Sequence, residues 1–384
     1  MARLEEICSL ITDGSHFSPE DEGVGYPMFS VKDMTPNGFN ISGCKKIGEE
    51  AYKKLVANGC KPLNDDVVVA KDGSYLKTAF VIKGNPEITL LSSIAILRPK
   101  IDLVVPEYLS YFLKSDAVYR TVSLNYITGT ALKRIILKGI RKIEVDLPDI
   151  GEQEQRAQRL SKVDYLCQLR KQQLAKLDEL VKARFVEMFG DINVNNKKWM
   201  TYPLGELCTI VRGGSPRPIE RYLGGTIPWI KIGDATTGEN IYLNSTKEYI
   251  IQEGVKKSRM IKAGSLIFAN CGVSLGFARI ITFDGCIHDG WLAMEDIDEK
   301  LDKIFLLYSL NQMTEYFRKT APAGTQPNLN TNIMKIHRQI VPPMEMQKAF
   351  ISFVKCADRQ KQIVQQSLEK LELMKKALMQ EYFG

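Results

Sequence analysis

The sequence predicts an α+β fold in which two similar α/β domains are joined by two long helices. The helices are expected to form an antiparallel coiled coil with pseudo-two-fold symmetry. Three observations predict this fold: an internal repeat of 194 residues, a long heptad-patterned segment at the end of each repeat, and short β-branched runs before each helix. A repeat of this length indicates duplication of a whole domain rather than of a short solenoid unit.

The repeat is clearest where each copy ends. The segment AKLDELVKARFVEMFG ends at Gly190, and EKLELMKKALMQEYFG ends at Gly384. The same offset relates Gln153 to Gln347 without a gap, and roughly a third of the aligned residues are identical. The chain is therefore divided into a first domain at 1–148, a central spacer helix at 149–190, a second domain at 191–341 and a C-terminal spacer helix at 342–384.

The segments before the helices resemble each other more faintly. LEEICSLITDGS resembles LGELCTIVRGGS, and NDDVVVAKDGS resembles KAGSLIFANCGVS. Their short β-branched runs, bounded by Gly, Asn, Asp and Pro, are typical of strands and turns, and helical patches near 108–114 and 305–312 make each domain mixed α+β. The apolar framework repeats while the polar residues diverge, which favours two copies of one scaffold that contact different targets.

The long segments carry apolar residues at alternating steps of three and four, the a and d pattern of a coiled coil. The predicted seam is Leu160, Val163, Cys167, Leu174, Leu177, Val181 and Met188 in the first copy, and Val354, Ala357, Val364, Leu368, Leu371, Leu378 and Tyr382 in the second. Each helix would be roughly 50 Å long, more than one domain face needs. Antiparallel pairing of the two helices is therefore favoured, and the alternative is that each helix packs only on its own preceding domain.

The order of these parts resembles the specificity subunit of type I restriction-modification systems. GTQPNLNTNIMKI followed by PPMEMQ is similar to the junction between recognition domain and spacer helix in that family. TGTALKRIILKGIRKIEVDLPDIGEQEQ is a less typical first copy that lacks the Gln-Pro-Asn-Leu core, and DGSHFSP resembles the opening of such domains. The resemblance covers the whole chain.

This resemblance implies two target recognition domains, each reading one half of a split, asymmetric sequence in double-stranded DNA. The helices would hold the domains at a fixed spacing and dock two modification subunits, which carry S-adenosylmethionine and methylate adenine. Restriction subunits with ATP- and Mg-dependent activity could join them, whereas no catalysis and no cofactor are expected in this chain. The alternatives are a methylation-only or type II-like system and, less favoured, a coiled-coil adaptor that binds protein or glycan.

Composition agrees with a non-catalytic protein. The net charge of +7 favours an anionic partner, no apolar run reaches the roughly 18 residues of a membrane span, and MARLEEICSL is not a signal peptide, so the cytoplasm is the expected compartment. The eight cysteines form no C-x-x-C pair, and three histidines do not favour a metal site. P-loop, G-x-G-x-x-G and Asn-Pro-Pro-aromatic motifs are missing from the sequence.

Candidate DNA contacts are exposed basic, amide and hydroxyl residues on predicted loops, because arginine reads guanine and both arginine and lysine neutralise phosphate. In the first domain we select Ser15, His16, Lys32, Lys71, Lys77, Lys133 and Arg134. In the second domain we select Arg212, Arg217 and Arg221, with Lys231, Asn270, Arg279 and Gln326 as weaker candidates. For any one of them, a solvated side chain without a contact is the more frequent role.

Candidate docking residues lie outside the heptad seam. With Leu160 at position a, Leu169 and Leu180 fall at c and g, and their repeat counterparts Ile363 and Met374 are apolar too. A two-stranded coil prefers polar residues at these positions because they face water. The stripe therefore predicts contact with a methylating partner, and the alternative is contact with the recognition domains of the chain itself.

Overall fold

The computed structural model describes residues 1–36, 38–73, 76–128, 133–235, 241–272, 275–321 and 328–384. These residues form two compact units: Met1–Lys171 with Gln366–Gly384, and Gln172–Gln365. The two long helices run through Ile150–Phe189 and Met344–Phe383, so each of them contributes to both units. The predicted α+β class, with two domains and two long helices, is confirmed, whereas the four domain boundaries stay a prediction.

The first unit is a mixed α+β domain with the beginning of one long helix and the end of the other. Its strands are β1 (Ala2–Arg3), β2 (Cys8–Asp13), β3 (Tyr26–Phe29), β4 (Met34–Thr35), β5 (Gly38–Phe39), β6 (Lys45–Ile47), β7 (Val67–Ala70), β8 (Ala79–Val81), β9 (Thr89–Leu90), β10 (Ile94–Pro99), β11 (Ile127–Thr128), β12 (Arg134–Ile135) and β13 (Glu144–Val145). Its helices are α1 (Leu4–Ile7), α2 (Glu49–Ala57), α3 (Pro106–Leu113), α4 (Asp116–Asn125), α5 (Leu137–Arg141) and the part of α6 (Ile150–Phe189) up to Lys171.

An antiparallel sheet in the order β2-β10-β7-β8 forms the centre of the first unit. Strand β7 is covered on both faces, and all four residues of its run VVVA are buried. A central strand of this kind needs a continuous apolar sequence. Helix α3 packs on β7 and β8, where the buried Ser110 hydroxyl donates to the carbonyl of Ala79 at 3.1 Å. A smaller sheet in the order β6-β3-β9 and the two-stranded sheets β1-β13, β4-β5 and β11-β12 belong to the same unit.

The second unit repeats this plan. Its strands are β14 (Thr201–Pro203), β15 (Thr209–Arg212), β16 (Leu223–Ile230), β17 (Tyr242–Leu243), β18 (Glu248–Ile250), β19 (Arg259–Ile261), β20 (Leu266–Ala269), β21 (Ala278–Ile281), β22 (Gly285–Ile287), β23 (Trp291–Glu295) and β24 (Arg338–Ile340). Its helices are α7 (Leu204–Leu207), α8 (Ile232–Ala235), α9 (Gln252–Val255), α10 (Lys303–Gln312), α11 (Thr314–Thr320), α12 (Thr331–Ile336) and the part of α13 (Met344–Phe383) up to Gln365. The sheet orders are β15-β23-β20-β21-β17 and β18-β16-β22-β19.

Within each unit the two long helices run antiparallel. In the first unit Arg156 donates to the carbonyl of Tyr382 at 3.1 Å, and Lys171 lies 3.0 Å from Glu372, so contacts move backwards along α13 as they move forwards along α6. In the second unit Lys361 pairs with Asp178 in the same sense. All fourteen predicted seam residues are buried or half-buried. Lys361 and Lys375 of α13 thus form ion pairs with the opposite helix, to Asp178 and Asp164.

The repeated phenylalanine before the final glycine anchors the end of each long helix. Phe383 packs in the first unit against Tyr108 of α3, with ring centroids 5.2 Å apart. Phe189 packs in the second unit against Phe305 of α10 at 4.8 Å and is fully buried. Gly190 has a φ of +79°, which suits the residue that ends a helix. The Phe-Gly ending occurs twice because each long helix ends against the equivalent helix of a domain, which is α3 in the first unit and α10 in the second.

The repeated glutamine fixes the beginning of each long helix. In the second unit Gln347 is fully buried, accepts the N–H of Asp302 at 2.8 Å and donates to the carbonyls of Lys300 and Pro342 at 2.9 and 2.8 Å. Gln153 makes the matching set of hydrogen bonds in the first unit. One amide thus satisfies three backbone groups that water cannot reach.

We expect Gln347→Leu to lower the free energy of unfolding of the second unit by about 2–4 kcal/mol, because it leaves buried backbone groups without partners. All three tryptophans of the chain lie in the second unit, so urea denaturation followed by tryptophan fluorescence measures this effect. Gln360→Leu is the control, since Gln360 is an exposed residue of the same helix and its substitution is expected to change stability by less than about 0.5 kcal/mol. Equal effects of the two substitutions would contradict this role.

Candidate nucleic-acid interface

In the first unit most candidate DNA contacts gather at one edge of the central sheet. Strand β2 ends at Asp13 and is paired there with Ala95 near the start of β10, and β7 ends at Ala70 opposite Ile94. The loops that leave these strand ends carry Ser15, His16 and Lys71. The backbone bridge between Asp72 and Arg134 adds the segment that holds Lys133 and Arg134, both exposed. Exposed Lys32 belongs to a 3-10 turn whose Val31 N–H donates to Ser93 Oγ at 3.0 Å, beside this edge.

The expectation of exposure is wrong for two residues at this edge. The Lys71 side chain is 9% exposed and forms an ion pair with Asp13, whose side chain is 12% exposed. A buried ammonium group requires such a partner. The Ser15 hydroxyl is also buried and donates to the carbonyl of Phe17 at 2.6 Å. In contrast the His16 side chain is 80% exposed, with Nε2 3.6 Å from Asp13 Oδ2.

Lys77 lies between β7 and β8, on the segment that also carries Lys71, and its side chain borders a cavity. Its ammonium group is 5.4 Å from the centre of the Tyr119 ring. It lines a cavity of about 590 Å³ together with Lys114 of the domain and Lys375 of α13. Burial is the main cause that lowers the pKa of Lys114 to about 8, and the neighbouring charge of Lys375 adds to this effect. The Lys77 side chain is thus placed beside Tyr119 and this cavity.

In the second unit the corresponding loops come from five strand ends. Strands β15, β16, β20 and β22 end where β23 begins. Arg212 is the last residue of β15, and Arg217 and Lys231 lie in the loops that follow β15 and β16. Arg212 and Arg217 are exposed, whereas half-buried Lys231 forms an ion pair with Glu248. Arg221 is exposed at the end of the 3-10 turn at Ile219–Arg221. Gln326 lies outside the described residues.

The expectation of exposure is also wrong for Asn270 and Arg279. Asn270 is fully buried, and its side-chain amide donates to Asn328 Oδ1 at 3.2 Å. Arg279 donates to the carbonyls of Ala278 and Ala235 at 2.8 and 3.3 Å and lies 4.6 Å from the centre of the Phe277 ring. These contacts supply acceptors for the buried donors of Asn270 and Arg279, whereas Asn270 Oδ1 has no hydrogen-bond donor among the described residues.

Asp289 links the polar side chains of the second edge. Its Oδ1 accepts from the Ser215 hydroxyl at 2.8 Å and lies 3.0 Å from His288 Nε2, and its Oδ2 lies 3.6 Å from Arg217. Burial alone would raise the pKa of Asp289, but the Ser215 hydroxyl and the neighbouring charges, including Arg212, hold this pKa below its usual value. Burial lowers the pKa of His288, although Asp289 opposes that shift. The carboxylate is thus ionised and held in place at neutral pH.

Sequence reasoning missed an exposed basic run in this unit. Lys256, Lys257 and Arg259 are exposed, and Arg259 Nε donates to the carbonyl of Arg212 at 2.9 Å. Lys257 donates to the Tyr222 hydroxyl at 2.6 Å. The sequence signal was the segment KKSR, which lies next to a strand and outside the loops rich in glycine and proline. This run enlarges the basic surface around Arg212.

The two edges carry opposite charges at equivalent positions. Gly14 donates its N–H to Ile94 at the start of β10, and Gly213 donates to Trp291 at the start of β23. The residues just before these glycines are Asp13 and Arg212. Edges that differ in this way present different hydrogen-bond donors and acceptors to a ligand.

Two negative findings apply to the described part of the chain. It contains no helix that combines the length and the apolar character needed to cross a bilayer. It also contains no group of three or more His, Cys, Asp or Glu side chains placed to hold a metal ion.

The sequence matches a family described as the type I restriction modification DNA specificity domain twice, at residues 1–179 and 196–373. A relative described as the putative type I restriction enzyme MjaX specificity subunit of Methanocaldococcus jannaschii is 22% identical over 98% of this chain and 90% of its own length. The MjaVIII specificity subunit of the same organism is 23% identical over 85% of this chain and 79% of its own length.

Two solved structures share the fold over the full length of this chain. The S subunit of a type I restriction-modification system from M. genitalium matches with a TM-score of 0.56 and 15% identity and is covered to 95%. A chain from a structure described as the basis of complex assembly and conformational transition of the type I R-M system matches with a TM-score of 0.60 and 17% identity and is covered to 96%. At such identities the likeness supports the fold alone.

Proposed function

The chain belongs to the type I restriction-modification DNA specificity family, and on this premise we propose that each of its two domains reads one half of a bipartite, asymmetric sequence in double-stranded DNA. The observation that carries the proposal is that each unit gathers polar and basic side chains at one edge of its central sheet. In the first unit this edge carries His16, Lys133 and Arg134, and in the second it carries Arg212 and Arg217. Such side chains contact phosphates and base edges in DNA.

The asymmetry of the target rests on the different chemistry of the two edges. The first edge holds the Asp13–Lys71 pair with exposed His16 beside it. The second edge holds exposed Arg212, whose partner is Asp289. Different donors and acceptors at equivalent positions favour two different half-sites rather than a palindrome.

The long helices would set the distance between the half-sites and dock two adenine-methylating subunits, through which restriction subunits join. Leu180, Ile363 and Met374 are 51%, 56% and 48% exposed, and Leu169 is half-buried. Leu169 and Met374 belong to the first unit, and Leu180 and Ile363 belong to the second, so each unit has one such residue from each helix. Two equivalent pairs of apolar residues, one pair in each unit, support two partner sites.

The chain itself would contribute recognition and no catalysis. In this proposal S-adenosylmethionine is bound by the methylating subunits, and ATP and Mg are used by the restriction subunits. Reading of the duplex by the two domains would require none of these three cofactors.

We expect the purified chain alone to show no methyl transfer, no ATP hydrolysis and no DNA cleavage, because its sequence has neither a P-loop nor an Asn-Pro-Pro-aromatic motif. The measurement is transfer of radioactive methyl groups from S-adenosylmethionine to plasmid DNA, with and without the cognate methylating subunit. Labelling is expected only when both proteins are present. Robust labelling by the chain alone would contradict this assignment.

The proposed DNA recognition is tested by selection from a library of random DNA duplexes with the complex of this chain and its methylating partner. Enrichment of two short sequences separated by a spacer of fixed length is expected. Affinity should fall as salt rises, because phosphate contacts release counterions. Binding without any sequence enrichment, or no binding to duplex DNA, would instead support an adaptor that binds protein or glycan.

A further inference from the structure

Two arginines of the second unit hold their guanidinium groups in the same manner. Arg212 is the last residue of β15, and its Nε donates to the backbone carbonyl of Asp289 at 2.9 Å. Arg259 is the first residue of β19, and its Nε donates to the backbone carbonyl of Arg212 at 2.9 Å. Both side chains are exposed. Among the residues that the structure describes, no acceptor contacts the terminal Nη atoms of either arginine.

Anchoring through Nε leaves the Nη atoms of each arginine available to a ligand. A guanidinium group has five N–H donors in a rigid plane, so one bond at Nε restricts the direction in which the others point. Two parallel donors match the O6 and N7 acceptors that guanine presents in the major groove. A side chain that is already oriented loses less conformational freedom on binding.

The backbone around these arginines is tightly packed. A Cβ atom added at Gly213 would lie 2.2 Å from the carbonyl oxygen of His288, and one added at Gly214 would lie 2.8 Å from that of Lys257. The Ser258 hydroxyl donates to the carbonyl of Gly214 at 2.8 Å. The glycines therefore allow the chain after Arg212 to pass close to the loops before β19 and β23. Sites that lie on strand ends are held more precisely than sites on long loops.

We propose that Arg212 and Arg259 each read a guanine through paired Nη–H hydrogen bonds to O6 and N7, so that the half-site of the second domain contains two G·C pairs. This inference rests on the proposed function, because it assigns bases to a domain that is proposed to read DNA. Arg217 is oriented differently, since one of its Nη atoms already faces Asp289 at 3.6 Å. It therefore presents fewer free Nη donors than Arg212 and Arg259.

The test compares Arg212→Lys and Arg259→Lys with the wild-type chain. Each lysine retains the positive charge but lacks both the Nε anchor and the paired donors. The control is Arg338→Lys in the same unit, because Arg338 Nε and Nη2 are occupied by Thr201, with distances of 2.9 Å to Oγ1 and 2.7 Å to the carbonyl. Each variant is assembled with the cognate methylating subunit and used to select from a library of random DNA duplexes. A thermal melting curve checks that each variant is folded.

The expected result is a loss of discrimination at one G·C pair for each variant, by about 10-fold to 100-fold, with the other half-site unchanged. Arg338→Lys should leave the selected sequence as it is. The inference would be overturned by a wild-type half-site without G·C pairs, or by variants that bind every sequence more weakly and keep the same preference, since that pattern identifies phosphate contacts. Failure of the wild-type complex to enrich any sequence would instead overturn the proposed function.

Discussion

Replacing residues 1–148 by the same segment of a relative with a different target is expected to change one half of the recognised DNA sequence and to leave the other half unchanged. Each mismatched base pair costs about 1–3 kcal/mol, so a half-site with about three altered pairs should be disfavoured about 150-fold or more. The measurement is sequencing of methylated adenines in cells that carry the hybrid chain with the methylating subunit.

The structure shows how such a hybrid has to be built. Phe383 of α13 packs on Tyr108 and Phe112 of the first domain, and Gln153 of α6 bonds to the carbonyl of Leu103. The hybrid should therefore keep aromatic residues at 108 and 112, so that the incoming domain contacts the unchanged helix ends. Loss of these contacts would destabilise the hybrid, and its failure to methylate would then say nothing about DNA recognition.

The spacing between the half-sites provides the control for this exchange. If the helices set the spacing, the half-site centres should stay about 10 base pairs apart, because two domains that contact one face of B-DNA repeat once per helical turn. Changes in both half-sites of the hybrid would show that the domains do not read independently. A changed spacing with intact helices would show that the domains rather than the helices determine it.

Sequence patterns predicted the long helices well because those helices depend on local periodicity. All predicted seam residues of the two helices are buried or half-buried, since a heptad pattern determines which face of a helix packs. The repeated Gln153 and Gln347 were visible as aligned residues, but their bonds to neighbouring loops were not. Those bonds depend on loops about 50 residues away in sequence, such as that of Leu103.

Burial of polar loop residues was the part that the sequence did not predict. Lys71 and Asn270 each follow a buried strand, where a polar residue usually faces water. Both are buried instead, and each contacts a partner 58 positions away in sequence. Lys71 pairs with Asp13, and Asn270 bonds to Asn328. Arg259 was missed for a related reason, because the bond that orients it is to Arg212, 47 residues away. Contacts between segments that are distant in sequence therefore determine whether these side chains are buried and how they are oriented.

The second large effect is expected at the apolar stripe of the long helices, where Leu180→Glu should remove one of two methylating subunits from the complex. Leu180 is 51% exposed and lies in the second unit with Ile363, whereas Met374 lies in the first unit. A charge at the centre of an apolar contact commonly costs about 2–4 kcal/mol of binding. Leu180→Glu with Met374→Glu should therefore remove both subunits.

Mass photometry measures the number of bound subunits directly, because each methylating subunit adds its own mass. The matched control is Val186→Glu, which introduces the same charge at a residue of α6 that is 50% exposed and lies roughly a third of a turn away around the helix. All three residues are about half exposed, so melting temperatures should change little.

The alternative is that these apolar residues contact only the recognition domains of the chain itself. The exposed fractions of Leu180, Ile363 and Met374 argue against that alternative, because residues covered by a domain would be buried. The experiment separates the two cases, since contact with the chain's own domains predicts lower stability and normal stoichiometry. Charges at both Leu180 and Met374 that still allow two subunits to bind with unchanged affinity would show that the partner docks elsewhere.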